Sequence, residues 1–166
     1  MFLNTHTYYS LCYGTIDTLE LLRLAKECGA KQLVLTDINT TSACIDFVRK
    51  APEFGIKPIV GIDFRSGVQQ CFICMAKNNE GFHEINDYRS LLIHQKEECP
   101  PIAPVFKNVF TIYPFKKRKV FDLKDGEYIG VKISDVPYIR LKQCDTSRMV
   151  ILHTVTFRNK KDFNAH

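Results

Sequence analysis

The sequence predicts an α/β fold, and three observations carry that prediction. Short apolar runs alternate with helix-period apolar stripes from Phe2 to Ile62. The alternation repeats at roughly 25 residues per unit, the spacing of parallel βα units whose helices cover a sheet. Gly29 and Gly55 stand just past the two helical segments, where a helix normally stops.

Phe2 to Asn4 reads as a short strand, followed after a turn around Gly14 by a helix over Asp17 to Cys28. Leu21, Leu24, Ala25 and Cys28 fall at i, i+3, i+4 and i+7, one apolar stripe, with Thr15 as the predicted N-cap. Gln32 to Thr36 is a nearly continuous apolar run, as in a strand buried on both faces. Cys44, Phe47, Val48 and Ala51 repeat the helical spacing, and Pro58 to Ile62 gives the third strand. Beyond Asp63 the units lose regularity. Cys71 to Ala76 is a predicted strand, Asn79 to Leu92 a helix, and the charged, proline-bearing stretch from His94 to Pro104 a loop. Val109 to Tyr113, Tyr128 to Val131 and Met149 to Leu152 are further strands, with a short helix over Val136 to Arg140. Asn159 to His166 reads as the opening of a helix without room to finish, so the chain is expected to be a piece of a longer one. A barrel cut there would expose strand edges and apolar surface, which a second copy forming a homodimer could cover.

With 166 residues, 45% apolar and 25% charged, the chain has the composition of one globular domain rather than a collagenous, coiled-coil or disordered one. No apolar run is long enough to span a membrane, and Met1 to Tyr9 lacks the layout of a signal peptide, so a cytoplasmic location is expected. The seven cysteines, an odd number, argue against a disulfide framework and for small buried hydrophobes. Cys71 and Cys74 form a single CxxC in a strand-like run, where positions three apart point to opposite faces, and no second pair stands at zinc-ribbon spacing. The net charge of +5 permits contact with nucleic acid without requiring it.

In parallel βα folds the site forms at the carboxyl ends of the strands, which singles out Asn4 and His6, Asp37 and Asp63. Imidazole and carboxylates converging from neighbouring strands suit divalent metals able to activate a water. An Asp after a strand also serves as a helix cap or turn former, and both readings stand at this point.

Leu3-Asn4-Thr5-His6-Thr7-Tyr8-Tyr9-Ser10, then Leu35-Thr36-Asp37, then Gly55 through Phe64, together with Ala76-Lys77-Asn78-Asn79-Glu80-Gly81-Phe82, resemble the PHP (polymerase and histidinol phosphatase) domain. The resemblance is to the PHP domain found at the N-terminus of bacterial DNA polymerase III alpha subunits. It implies one domain over residues 1–166 with a TIM-like (β/α)7 PHP barrel, incomplete within this length. Some family members hold two or three metal ions and act as phosphoesterases or 3′→5′ proofreading exonucleases. Others have a degenerate site and serve as a platform that docks a separate exonuclease subunit. The resemblance further implies a parent chain that synthesises DNA in chromosomal replication, a nucleotidyltransferase using Mg²⁺ held outside these residues. DNA would be met through that parent, and this segment alone is not expected to polymerise it.

Position by position, the resemblance implies a depleted ligand set. The opening His-x-His is Asn4-x-His6, the acid before Gly14 is Tyr13, and the His after Asp37 is Ile38. The Glu of the third block is Asp63, the fourth strand offers Gln70 and Cys71, and the late Asp-x-His falls on Thr154 and Thr156. His6, Asp37 and Asp63 remain as vestigial metal ligands, able to hold at most one residual Zn²⁺ or Mn²⁺. His153 closes a strand and is a further candidate to face the site. Lys116, Lys117, Arg118 and Lys119 form a basic run that could neutralise phosphates or simply be a solvated turn. The aromatics Phe106, Phe110, Tyr113, Phe115 and Phe121 around it read first as core and second as base-stacking platforms.

Overall fold

A computed structural model describes residues 2–115, 119–158 and 163–164. The elements run β1 (Asn4–Thr5), α1 (Thr18–Glu27), β2 (Gln32–Leu35), α2 (Cys44–Lys50), β3 (Lys57–Ser66), β4 (Gln69–Ala76) and α3 (Asn79–Gln95). They continue with β5 (Val109–Pro114), β6 (Glu127–Val131), α4 (Val136–Leu141), β7 (Met149–Ile151) and β8 (Thr154–Val155). Six strands form one sheet in the order β2-β3-β4-β5-β6-β7, and β1 pairs with β8 in a second. Phe2 bridges to Leu33 beside β2, while β8 follows β7 after two residues. The two-stranded sheet therefore lies across both edges of the curled six-stranded one, a mixed α/β half-barrel consistent with an incomplete PHP (β/α) barrel.

The βα repeat holds through β3 and then breaks. β3 runs four residues past the predicted end at Ile62 and turns back at Gly67, whose φ of +56° suits a residue without a Cβ. No helix separates β3 from β4, which is antiparallel to both of its neighbours. Asp63 consequently lies inside a strand opposite Ile73, and not after the strand as the sequence suggests. β3 can approach β4 this closely because position 61 is glycine: a Cβ there would lie 1.9 Å from the Cys74 carbonyl oxygen.

Three apolar clusters follow from this layout. Leu21, Leu22 and Ala25 of α1 pack with Leu33, Leu35, Phe47 and Ala51 on one outer face of the sheet. Phe64, Phe72, Ile85 and Tyr113 pack with α3 on another. Leu3, Val34, Ile73, Met75, Ile112 and Leu152 fill the inside of the curl. Each fully buried Leu, Ile or Phe is worth about 1.5–3 kcal/mol over its exposed state. The α1 stripe is rotated from its predicted position: Leu22 is buried and Cys28 is exposed. The rotation goes with the N-cap, which is Asp17 accepting from the Leu19 and Glu20 N–H groups, in place of Thr15. Val48 also lies exposed on α2, because the buried side of that helix is narrow, Cys44 and Phe47.

A β-bulge at Cys71 is the irregularity that matters most for the site. Phe64 pairs with Phe72, but Arg65 pairs with Gln70, so Cys71 is the extra residue. The bulge turns Cys71 toward the α3-side cluster, where Cys74 also packs, so the two thiols share a cluster and do not point to opposite faces. Gln70 is thereby moved to the inner face, across from Arg65.

Candidate vestigial metal site

His6, Asp37 and Asp63 converge at one end of the curled sheet, each no more than 1% exposed. His6 follows β1 and Asp37 follows β2, while a parallel bridge between Ile38 and Asp63 brings β3 alongside. The three sequence-predicted ligands are therefore neighbours, and the geometry settles what each one touches.

Asp37 is enclosed by the loop after β1. Its Oδ1 accepts from the Thr7 N–H at 2.6 Å and from the Ser10 hydroxyl at 2.7 Å, and its Oδ2 accepts from the Thr7 hydroxyl at 2.7 Å. The Ser10 Oγ also accepts from the Ile38 N–H at 2.9 Å. The loop folds this tightly because Gly14 lies against it; a Cβ at that position would sit 1.9 Å from the Thr7 carbonyl oxygen.

Asp63 is paired with a cation supplied by the protein. Arg65, two residues along the same strand and so on the same face, places Nη2 at 2.8 Å and Nε at 3.1 Å from Asp63 Oδ2. His6 Nε2 lies 3.2 Å from that same oxygen, and Gln70 Nε2 donates to Oδ1 at 2.9 Å. The Arg65 guanidinium also sits 4.8 Å from the centre of the Tyr13 ring, a cation–π contact. Asn39, itself at φ +53°, pins the Arg65 backbone in both directions, accepting from its N–H at 2.9 Å and donating to its carbonyl at 3.0 Å.

The remaining positions complete a closed network. His6 Nδ1 lies 3.3 Å from Thr156 Oγ1. Asn4 donates to Thr154 Oγ1 at 3.0 Å and accepts from the Thr36 hydroxyl at 2.9 Å. Both ring nitrogens of His6 and all four carboxylate oxygens thus have protein partners. Among the described residues, no group of three or more His, Cys, Asp or Glu side chains is placed to hold a metal ion.

The order of these segments and their arrangement around one barrel end agree with the comparison to known families, where residues 3–125 match the PHP domain. The chain belongs to the PHP domain family. Similar proteins are the DNA polymerase III subunit alpha of Ureaplasma parvum, 30% identical over 95 residues, and that of Campylobacter jejuni, 34% identical over 94. The subunit of Borreliella burgdorferi is 36% identical over 61 residues. These alignments cover 57%, 50% and 37% of the chain, but only 10%, 8% and 5% of the respective relatives.

Within this PHP domain the sequence directs attention to His6, Asp37 and Asp63 but not to Arg65, Thr7, Ser10 and Asn39, which bond to them or pin Arg65. The Asp-x-Arg spacing of Asp63 and Arg65 was the available signal, since i and i+2 share a strand face. Gln70, Thr154 and Thr156, positions that the resemblance aligns with family ligands, all reach the site as hydrogen-bonding partners. His153 does not; it is exposed, and its ring lies 6.4 Å from that of Phe2. Lys116, Lys117 and Arg118 lie outside the described residues, and Lys119 is exposed. Of the aromatics, Tyr113 is fully buried and Phe106 packs against the same cluster, while Phe110 is 36% exposed against Tyr128. No helix among the described residues is long and apolar enough to cross a membrane.

Proposed function

We propose that this PHP domain is the N-terminal part of a replicative DNA polymerase III alpha subunit and acts as a structural module whose metal centre has been replaced by an internal ion pair. The observation that carries this reading is Arg65. Its guanidinium lies on Asp63 and over Tyr13, the residue at the family's acidic position, so a fixed protein cation stands beside the carboxylate that would otherwise meet a metal. The donor set does not suit a catalytic ion: a metal on Asp63 would have to displace Arg65 and bear its repulsion, and one on Asp37 would have to displace two hydroxyls and an N–H. No phosphoester hydrolysis is therefore routed through this site. DNA synthesis would belong to the remainder of the alpha chain, with Mg²⁺ bound there, and a cytoplasmic location would follow from that role. Docking of a proofreading exonuclease subunit is compatible with a platform role.

The test is a nuclease and phosphatase assay with 3′-labelled DNA and p-nitrophenyl phosphate in the presence of Mn²⁺ or Zn²⁺. The reading expects no turnover above buffer. Metal-dependent nucleotide release that disappears in His6→Ala would overturn it.

A further inference from the structure

Toward the start of β3, where Lys57 to Val60 lie about 10–20 Å back along the strand from Asp63 at roughly 3.3 Å per residue, a half-open groove of about 590 Å³ reaches between β3, β4, α2 and α3. That volume lies within the roughly 300–1,000 Å³ typical of ligand sites. Its walls are apolar, with Ile59, Met75 and Phe82 among them, and its charged lining residues are Arg49, Lys57 and Lys77. No carboxylate lines it. All three cations are exposed, and none forms an ion pair among the described residues. Lys77 is held in place by the Phe110 ring, 4.7 Å from its centre, and donates to the Lys107 carbonyl at 3.4 Å.

The groove exists because β4 leaves β3 early. Pairing of the two strands begins only at Gly61 and Met75, so β3 from Lys57 onward has β2 on one side and the groove on the other. The Lys57 N–H donates to Lys31 on the β2 side at 2.9 Å, so the backbone of the next residue faces the groove. That residue is Pro58, which has no N–H to give an incoming strand. The feature is thus unsuited to strand addition and suited to an apolar body entering among side chains.

We propose that this groove is a binding site for a small amphipathic anion, its apolar body against Ile59, Met75 and Phe82 and its acidic head among Arg49, Lys57 and Lys77. An apolar cavity rimmed by three cations without counter-charges favours such a ligand over a neutral or cationic one of equal size. The proposal is independent of the role assigned to the Asp63 network farther along β3.

The probes are sodium decanoate and decyltrimethylammonium, titrated calorimetrically into the protein below their micelle concentrations. Decanoate should bind saturably at one site, and the cation roughly tenfold or more weakly, the ratio that opposite head-group charges among unpaired cations would set. Lys57→Glu/Lys77→Glu should reverse that preference, and Val48→Glu should weaken decanoate by placing a like charge on the wall. All three substituted residues are exposed, and circular dichroism checks that the variants stay folded. No saturable decanoate binding, equal affinity for the two probes, or decanoate affinity unchanged in the charge-reversed variant would each overturn the proposal.

Discussion

Replacing Arg65 by Met removes the cation from Asp63 while keeping most of the side chain's bulk. Asp63 is fully buried and the Arg65 side chain is only 12% exposed, so water does little to screen the 2.8 Å pair. Taking away one member of such a pair leaves a buried charge without its partner, which costs about 3–5 kcal/mol. At about 2–4 °C per kcal/mol for a chain of this size, Arg65→Met lowers Tm by roughly 6–20 °C. Asp63→Asn/Arg65→Met removes both charges together and is expected to lose much less, leaving a coupling energy of about 2 kcal/mol in the double-mutant cycle. Urea titrations and calorimetry of wild type, both single variants and the double variant measure these quantities. A loss under about 1 kcal/mol for Arg65→Met, or additive single effects, would refute the claim that this guanidinium neutralises Asp63.

Three further outcomes follow from the same geometry. Gly14→Ala puts a Cβ against the Thr7 carbonyl oxygen, 1.9 Å away in the present backbone, so the loop over Asp37 must shift. A loss of about 2 kcal/mol or more by urea titration is expected, and a neutral variant would contradict the close packing. Ellman's reagent at pH 8 should modify the exposed Cys12 and Cys28 quickly and the partly covered Cys144 more slowly, leaving Cys44, Cys71, Cys74 and Cys99 until the chain unfolds. Rapid reaction of five or more thiols would show the clusters to be open. Burial, with the Asp37 carboxylate nearby, pushes the Cys44 thiol up to about 12. The unfolded chain loses that proton near its ordinary value of about 8.5, so the folded state binds more protons above it. Stability should therefore fall between about pH 9 and pH 12, with a slope approaching 1.4 kcal/mol per pH unit for this thiol. The slope should be shallower in Cys44→Ala, and an unchanged slope would remove Cys44 as a cause.

Much of the architecture was legible because it rests on short-range pattern. The runs at Gln32 to Leu35 and Val109 to Tyr113, and the helical stripe through Cys44 and Phe47, belong to elements that bury one face or two, and periodicity reports burial. The convergence of His6 and Asp37 was legible as well, since neighbouring strands deliver their ends to one place; Asp63 joins them from within β3, beside Ile38. The antiparallel return of β4 was not, because a strand's direction leaves no mark on its apolar pattern. The bulge at Cys71 was hidden for a related reason: an inserted residue shifts the alternation by one, so the pattern alone does not show that Gln70 faces Asp63, to which it donates. Arg65 was overlooked because an arginine near a strand end ordinarily reaches water, and only the side chains facing it tell otherwise. Of the positions that the resemblance reads as lost ligands, Gln70 and Thr156 are, in the fold, hydrogen-bonding partners of Asp63 and His6.

The central claim is that protein groups occupy the bonding positions a metal would need at His6, Asp37 and Asp63. The most direct test is metal content by mass spectrometry after the protein has been equilibrated with Zn²⁺ or Mn²⁺ and desalted, with His6→Ala as reference. The account predicts well under one ion per chain and no difference between the two proteins; one or more ions per chain, lost in His6→Ala, would contradict it.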